Sequence, residues 1–314
     1  MGYIAMSTDL GIRVFLIEYT KDAPKIIASA SKMSTSKKKV ENLLKISDDE
    51  IDIWIKETFR RNHFSPWEHS SYTFMIEGCS RVCSHQLVRH RIASFTQQSM
   101  RYTDATLREM ALNAASKIGN NCPEKPKKDD KSAYVCYYNS LLSSLDKLNI
   151  DELVKIANIG YVFPPLIKAD RLETYTKALI NATANYYKLI STGLSKEDSR
   201  FIIPMSVRTK ITVTMNAREL IQTFFPLRAC TKAQWEIRKV AWLIYKEVNK
   251  VHPQLFRYAG PSCVYIENIL RDEPATVEDY VNGKYEFTIN RCPELVKNKG
   301  IKACLANAYN TLNK

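Results

Sequence analysis

Residues 71–77 (SYTFMIE) and 209–215 (TKITVTM) alternate apolar and polar side chains with a period of two. Tyr72, Phe74 and Ile76 fall on one face of the first segment, and Ile211, Val213 and Met215 on one face of the second. A half-buried β-strand has this pattern; a helix does not. IRVFLIEY, residues 12–19, reads as a third strand. Other long segments keep the helical period. Leu172, Tyr175, Leu179, Ala182 and Tyr186 form one apolar stripe, and Ala233, Ile237, Ala241, Ile244 and Val248 another. Ser47 with Glu50 three residues on is a capping box that opens a helix running to about Arg61. A further helix is predicted over 137–148. Strands mixed with long helices and no clear boundary predict a mixed α/β (α+β) chain, a single compact domain over 1–314. The polar stretch 118–132, rich in Lys and Pro, reads as an excursion or lid.

Composition narrows the function classes. With 314 residues, 45% of them hydrophobic, the chain can bury a sizeable core. No stretch approaches the roughly 20 apolar residues that a membrane helix needs. The start MGYIAMSTDLGIRVFLIEY lacks a basic opening and a small-residue cleavage site, which predicts a cytoplasmic protein. Gly2 begins a partial myristoylation match that fails at Met6. The eight dispersed cysteines predict reduced thiols rather than a disulfide framework. A net charge of +13 favours anionic partners, although lysines on solvated faces account for most of it.

One segment carries several cationic side chains without a balancing acid. RHRIASFTQQSMRY, from Arg89 to Tyr102, carries Arg89, His90, Arg91, Gln97, Gln98, Ser99 and Arg101 with no carboxylate before Asp104. Helical neighbours point about 100° apart, so the first three cannot all face one ligand; they must sit at a helix end or serve two ligands. Arg recognises phosphate or a carbonyl edge in a planar, bidentate way, and a hydroxyl followed by a second guanidinium suits a phosphate. A solvated basic helix is the bland alternative, but the apolar flanks Leu87, Val88, Ile92 and Ala93 argue against it.

Arg89-His90-Arg91, seven residues and then Ser99 resembles the signature of the flavin-dependent thymidylate synthase family. HFSPWEHSSYTF (63–74), NARELIQTFFPLRACTKAQWEIR (216–238) and AGPSCV (259–264) resemble further family segments in the same order. The resemblance spans roughly 34 to 264. It implies the family's sheet-and-helix fold, methylation of dUMP to dTMP, methylenetetrahydrofolate as carbon donor, and FAD reduced by NADPH as hydride carrier. It implies a homotetramer with shared active sites, without nucleic acid, membrane or metal.

The resemblance also implies roles. Gln86, Arg89, Gln97, Gln98, Ser99, Arg101 and Arg200 match residues that hold dUMP, and Arg228 matches the arginine that grips the uracil edge. Arg228 and Ser99 are the residues closest to the chemistry. Ser34, His63, Ser65, Glu68, Asn216 and Arg218 match FAD contacts, and Arg89, His90 and Arg91 lie along the flavin. Taken singly, His63 could be a turn residue, Glu68 a helix cap and Asn216 a strand terminator; the ordered context favours the site. Ser99 has only arginines and glutamines beside it, which cannot take its proton, so it binds and positions rather than attacks. Cys230, two residues from Arg228, is expected to be dispensable.

The chain departs from the commoner family pattern in four places. One extra residue lies between Asn216 and Arg228, so either Gln222 or Thr223 takes a flavin-contacting position. Lys232 stands where an Arg or His precedes AQWEI and lacks Arg's fork, which bears on FAD affinity. Insertions lie near 118–135 and 265–290. A reading from another class is a zinc-dependent nucleic-acid module built on His63, His69, His85, His90, Cys79 and Cys83. Its C-x3-C-x-H spacing lacks a second ligand pair. A catalytically inactive relative is the remaining alternative, and the retained Arg89, Ser99, Arg101 and Arg228 speak against it.

Overall fold

A computed structural model describes residues 11–126 and 131–313. The Gly2 start and residues 127–130 of the polar excursion lie outside the described residues. The fold is mixed α/β, as the two periodicities require. Strands β1 (Arg13–Tyr19), β2 (Ser71–Ser80), β3 (Ala93–Gln97) and β4 (Arg208–Asn216) form one sheet in the order β1-β2-β4-β3. β1 pairs with β2 antiparallel, with a register shift between Leu16 and Glu18. Tyr72, Phe74 and Ile76 of β2 and Ile211, Val213 and Met215 of β4 are buried, the faces that alternation assigns to the core.

Backbone packing divides the chain into two compact units. The first comprises Met1–Glu77, Cys83–Thr96 and Ile211–Lys314. Here helix Ala23–Met33 packs on helix Asp48–Arg60, and helix Trp235–Val251 packs on β1. Ser47 and Glu50 close the predicted capping box, each side chain bonded to the other's backbone N–H. An aromatic cluster fills this core: Phe64 lies 5.7 Å from Phe59 and 5.0 Å from Trp67, and Tyr72 lies 5.1 Å from Phe256. The segment Glu219–Phe224 is a π-helix. A π-turn takes more residues than an α-turn.

The second unit comprises Gly78–Val82 and Gln97–Lys210. Its body is four helices, Ala105–Lys117, Lys131–Lys147, Ile150–Gly160 and Asp170–Ser191, around Leu107, Met110, Tyr137, Ile156, Tyr161, Ile180 and Tyr187. The predicted 172–186 stripe contributes Leu179 and Tyr186 to this core.

The expectation of eight reduced thiols is wrong for two of them. Cys122 and Cys136 are joined by a disulfide with a Cα–Cα distance of 5.7 Å. Dispersion along the sequence hid the pairing, because the helix Lys131–Lys147 brings Cys136 back over the turn that holds Cys122. Asn120 Nδ2 donates to Ser140 Oγ (3.3 Å) and Tyr137 donates to the Pro123 carbonyl, so the described part of the excursion is fastened to that helix. The second insertion is anchored by Glu267. This fully buried carboxylate accepts from Thr288 N (2.9 Å), Thr288 Oγ1 (2.7 Å) and Ile289 N (3.1 Å), and it pairs with Arg271. Burial alone pushes its pKa up; the Thr288 and Ile289 hydrogen bonds and Arg271 outweigh burial and hold the carboxyl below the usual range. Among the described residues no helix is long and apolar enough to cross a membrane, and no three His, Cys, Asp or Glu side chains are grouped to hold a metal ion.

Two outcomes are expected. Denatured protein without reductant titrates six thiols and, after reduction, eight, while Cys136→Ser lowers unfolding free energy by about 3 kcal/mol. Eight thiols before reduction would refute the pairing. Because the folded pKa of Glu267 lies below its unfolded value, its stabilisation is present above the ordinary carboxylate range and is lost as pH falls through the folded value. Glu267→Gln therefore lowers the thermal midpoint at neutral pH, with the gap from wild type closing in acid; a gap that is constant with pH would contradict this.

Candidate active site

The signature triplet sits at a helix end, one of the two places open to it. Helix Arg81–Leu87 stops, Val88–His90 form a turn, and β3 begins at Ala93. Arg89 and Arg91 are exposed, whereas His90 is 3% exposed. The imidazole is held from two sides. Its Nδ1 lies 2.8 Å from Glu219 Oε1, and its Nε2 accepts from Arg228 Nε at 3.0 Å. Phe224 stands edge-on at 5.1 Å. Arg228 Nη2 also donates to the Gln86 carbonyl at 3.2 Å. Burial, then the charge of Arg89, pushes the Arg228 pKa down. A guanidinium still stays cationic. A partly buried cation with a second cation near it is unfavourable until an anion or a polar ring edge arrives, which is what a binding site for such a group requires.

A second group in the same unit begins at Asn216. Its Oδ1 accepts from Glu219 N at 2.8 Å, so it caps the π-helical turn, as a strand terminator would. Arg218, two residues on, donates through Nε to Gln222 Oε1 at 2.7 Å and pairs through Nη1 with Glu68. Gln222, not Thr223, joins this group; its Nε2 donates to Asn62 Oδ1 (2.9 Å) and Tyr265 OH (3.2 Å). Ser65 Oγ and His63 Nε2 are 3.1 Å apart. Arg218 and Glu68 are both half-exposed, so water screens the pair and an incoming anion can displace the carboxylate. A guanidinium, a hydroxyl, an imidazole and amides are groups that can bind a diphosphate. Ser34 lies elsewhere in its unit's contacts, ending helix Ala23–Met33 with Oγ donating to the Ser31 carbonyl (2.7 Å). Lys232 is exposed and lines an apolar cavity with Cys230, Cys263, Cys292 and Cys304.

The second unit holds the tail of the signature. Gln97 Nε2 donates to Thr209 Oγ1 at 3.2 Å, and Gln98 N donates to the Lys210 carbonyl at 2.9 Å. Ser99 opens a turn: its carbonyl accepts from Tyr102 N and Thr103 N, and its Oγ accepts from Arg101 N at 3.3 Å. Arg101 is exposed, over the Tyr102 ring at 5.3 Å and 3.4 Å from Glu197 Oε1. Arg200 Nε donates to the Glu197 carbonyl at 3.1 Å. The short helix Lys196–Ser199 that carries these groups is anchored by Lys196 to the buried Asp104 (2.9 Å). Arg81 is again a partly buried cation, its pKa pushed down by burial and then by Arg200.

The structure adds Glu219, Asn62, Tyr265 and Glu197 to the residues legible in the sequence. Asn216-x-x-Glu219 has the spacing of a capping box, which was a signal for Glu219. Its carboxylate goes to His90 instead of back to the cap.

The family described as "Thymidylate synthase complementing protein" matches residues 15–254. The chain is 54% identical over 304 residues to a flavin-dependent thymidylate synthase of Aeropyrum pernix, covering 95% of this chain and 94% of that protein. This chain belongs to that family. It is also 41% identical to the Sulfurisphaera tokodaii flavin-dependent thymidylate synthase, over 96% of this chain and 98% of the relative. In fold it resembles flavin-dependent thymidylate synthase ThyX of Helicobacter pylori, solved with FAD and dUMP. The TM-score is 0.56 at 24% identity, covering 79% of this chain and 99% of that one. The family membership turns the zinc-module reading aside.

The anchoring of Lys196–Ser199 is testable in stability. Asp104→Ala is expected to cost about 2 kcal/mol in urea unfolding, the loss of a hydrogen bond between charged groups. An unchanged midpoint would mean that the ion pair anchors nothing.

Proposed function

We propose that the chain methylates carbon 5 of dUMP to give dTMP, with methylenetetrahydrofolate as carbon donor and FAD, reduced by NADPH, as hydride carrier. The observation that carries this reading is the meeting of Arg228 with Gln86 and the Arg89–His90 turn, across 138 residues of sequence. Reduced flavin, when bound, supplies the hydride. The chain's own residues bind and polarise. Gln86, Arg89, Gln97, Gln98, Ser99, Arg101 and Arg200 hold dUMP, the guanidinium groups taking its phosphate. Arg228 faces the uracil edge, where a fixed cation stabilises charge that spreads onto the ring as carbon 5 becomes nucleophilic. Ser99 positions the nucleotide. His63, Ser65, Glu68, Asn216, Arg218 and Gln222 hold FAD, with Arg89, His90, Arg91, Ser34 and Lys232 as further contacts. The chain acts as a cytoplasmic homotetramer whose active sites are shared between subunits, and its basic balance gathers four anionic small molecules. Cys230 takes no part: burial pushes its thiol up, away from the thiolate that a nucleophile needs.

The test is purified protein with dUMP, methylenetetrahydrofolate, FAD and NADPH. dTMP is expected, and its absence both with and without oxygen would reject the reading. Arg228→Ala is expected to abolish dUMP binding while Cys230→Ala keeps turnover; the reverse pattern would overturn these roles.

A further inference from the structure

The contacts of His90 leave one arrangement of its protons. An arginine has donors and no acceptor. Arg228 Nε lies 3.0 Å from His90 Nε2, so that nitrogen carries no hydrogen. The ring's hydrogen is therefore on Nδ1, where it donates to Glu219 Oε1 at 2.8 Å. A protonated ring would set two N–H groups against each other at Nε2. The alternative neutral tautomer would do the same, and would also leave Nδ1 with nothing to give the carboxylate. The Glu219 and His90 side chains are 4% and 2% exposed, so water does not substitute for either partner.

We propose that Glu219 is a positioning residue for the nucleotide. Its carboxylate holds His90 in the Nδ1–H form, and that form supplies the acceptor that aims Arg228. Two N–H groups of the guanidinium are then committed, Nε to His90 and Nη2 to the Gln86 carbonyl, which fixes its plane. The remaining donors are left pointing away from these two anchors, in a fork of set orientation. The backbone gives Glu219 the same task from its other end: Asn216 Oδ1 caps its N–H, and the π-helical turn that starts there leads on to Arg228. Removing the carboxylate frees the ring to take the other tautomer, and Nε2–H then repels Arg228. The inference rests on the reading of Arg228 as the uracil contact for its functional consequence, but not for the proton arrangement.

The experiment has two arms on the FAD-loaded protein. In the first, imidazole nitrogen NMR reads the tautomers, with His90→Gln supplying the assignment. His252 is an internal contrast: its Nε2 faces the Lys21 carbonyl at 2.8 Å and its Nδ1 faces the Tyr72 hydroxyl at 2.9 Å, so it holds the opposite tautomer. His90 is expected in the Nδ1–H form in wild type and in Glu219→Gln, whose amide oxygen still accepts, and to lose that form in Glu219→Ala. In the second arm, dUMP affinity falls about tenfold to a hundredfold in Glu219→Ala and is largely rescued in Glu219→Gln, with flavin content and thermal midpoint recorded for each. An Nε2–H wild-type ring, or an Ala variant that is folded and binds dUMP as wild type does, overturns the proposal. Wild-type protein that shows the Nδ1–H form yet binds no dUMP refutes the functional reading instead, and with it the nucleotide role given to Glu219.

Discussion

A carboxylate, an imidazole and a guanidinium lie in line through Glu219, His90 and Arg228, the first two almost fully buried. Burying such groups costs several kcal/mol each unless every donor finds an acceptor. The chain satisfies the line from both ends, through the Asn216 cap and the Gln86 carbonyl. This requirement ties three stretches of sequence together: the end of helix Arg81–Leu87, the end of β4, and the turn at Phe225–Arg228. If any one shifts, a buried charge loses its partner. The signature triplet is split, with His90 turned inward and Arg89 and Arg91 turned out.

Each unit also holds a cation whose burial disfavours its charge. Arg228 and Arg81 are partly buried, and burial, followed by the like charge of Arg89 and of Arg200 respectively, pushes their pKa values down. Stability alone would disfavour such burial. A protein that binds phosphorylated, acidic small molecules gains from such cations. Exposed carboxylates at Glu68 and Glu197 meet Arg218 and Arg101 in ways that solvent already weakens. The net charge of +13 has the same logic at long range.

Local rules made much of the fold legible. β2 and β4 follow from alternation, the helix after Ser47 from its capping box, and the helix Trp235–Val251 from its stripe. The candidate site was legible as residue types in order, because arginines with a serine and glutamines have few other uses. What pairs with what was not. The partner of His90 lies 129 residues away and that of Cys122 crosses a turn and a helix, and no periodicity reports such meetings. The spacing of Glu219 after Asn216 signals a cap, but nothing in the sequence names His90 as the partner of its carboxylate. The segment before Arg228 forms a π-helical turn, and within it Gln222 accepts from Arg218, a pairing that the sequence pattern does not report.

We infer that Arg228 and the signature turn form one binding surface for a pyrimidine nucleotide beside a flavin. The absorbance spectrum of the purified protein, titrated with dUMP, tests it most directly. Bands of bound oxidised flavin that shift and saturate as dUMP is added are the predicted result. Protein that takes up no flavin, or a flavin spectrum indifferent to dUMP at every concentration, would contradict the account.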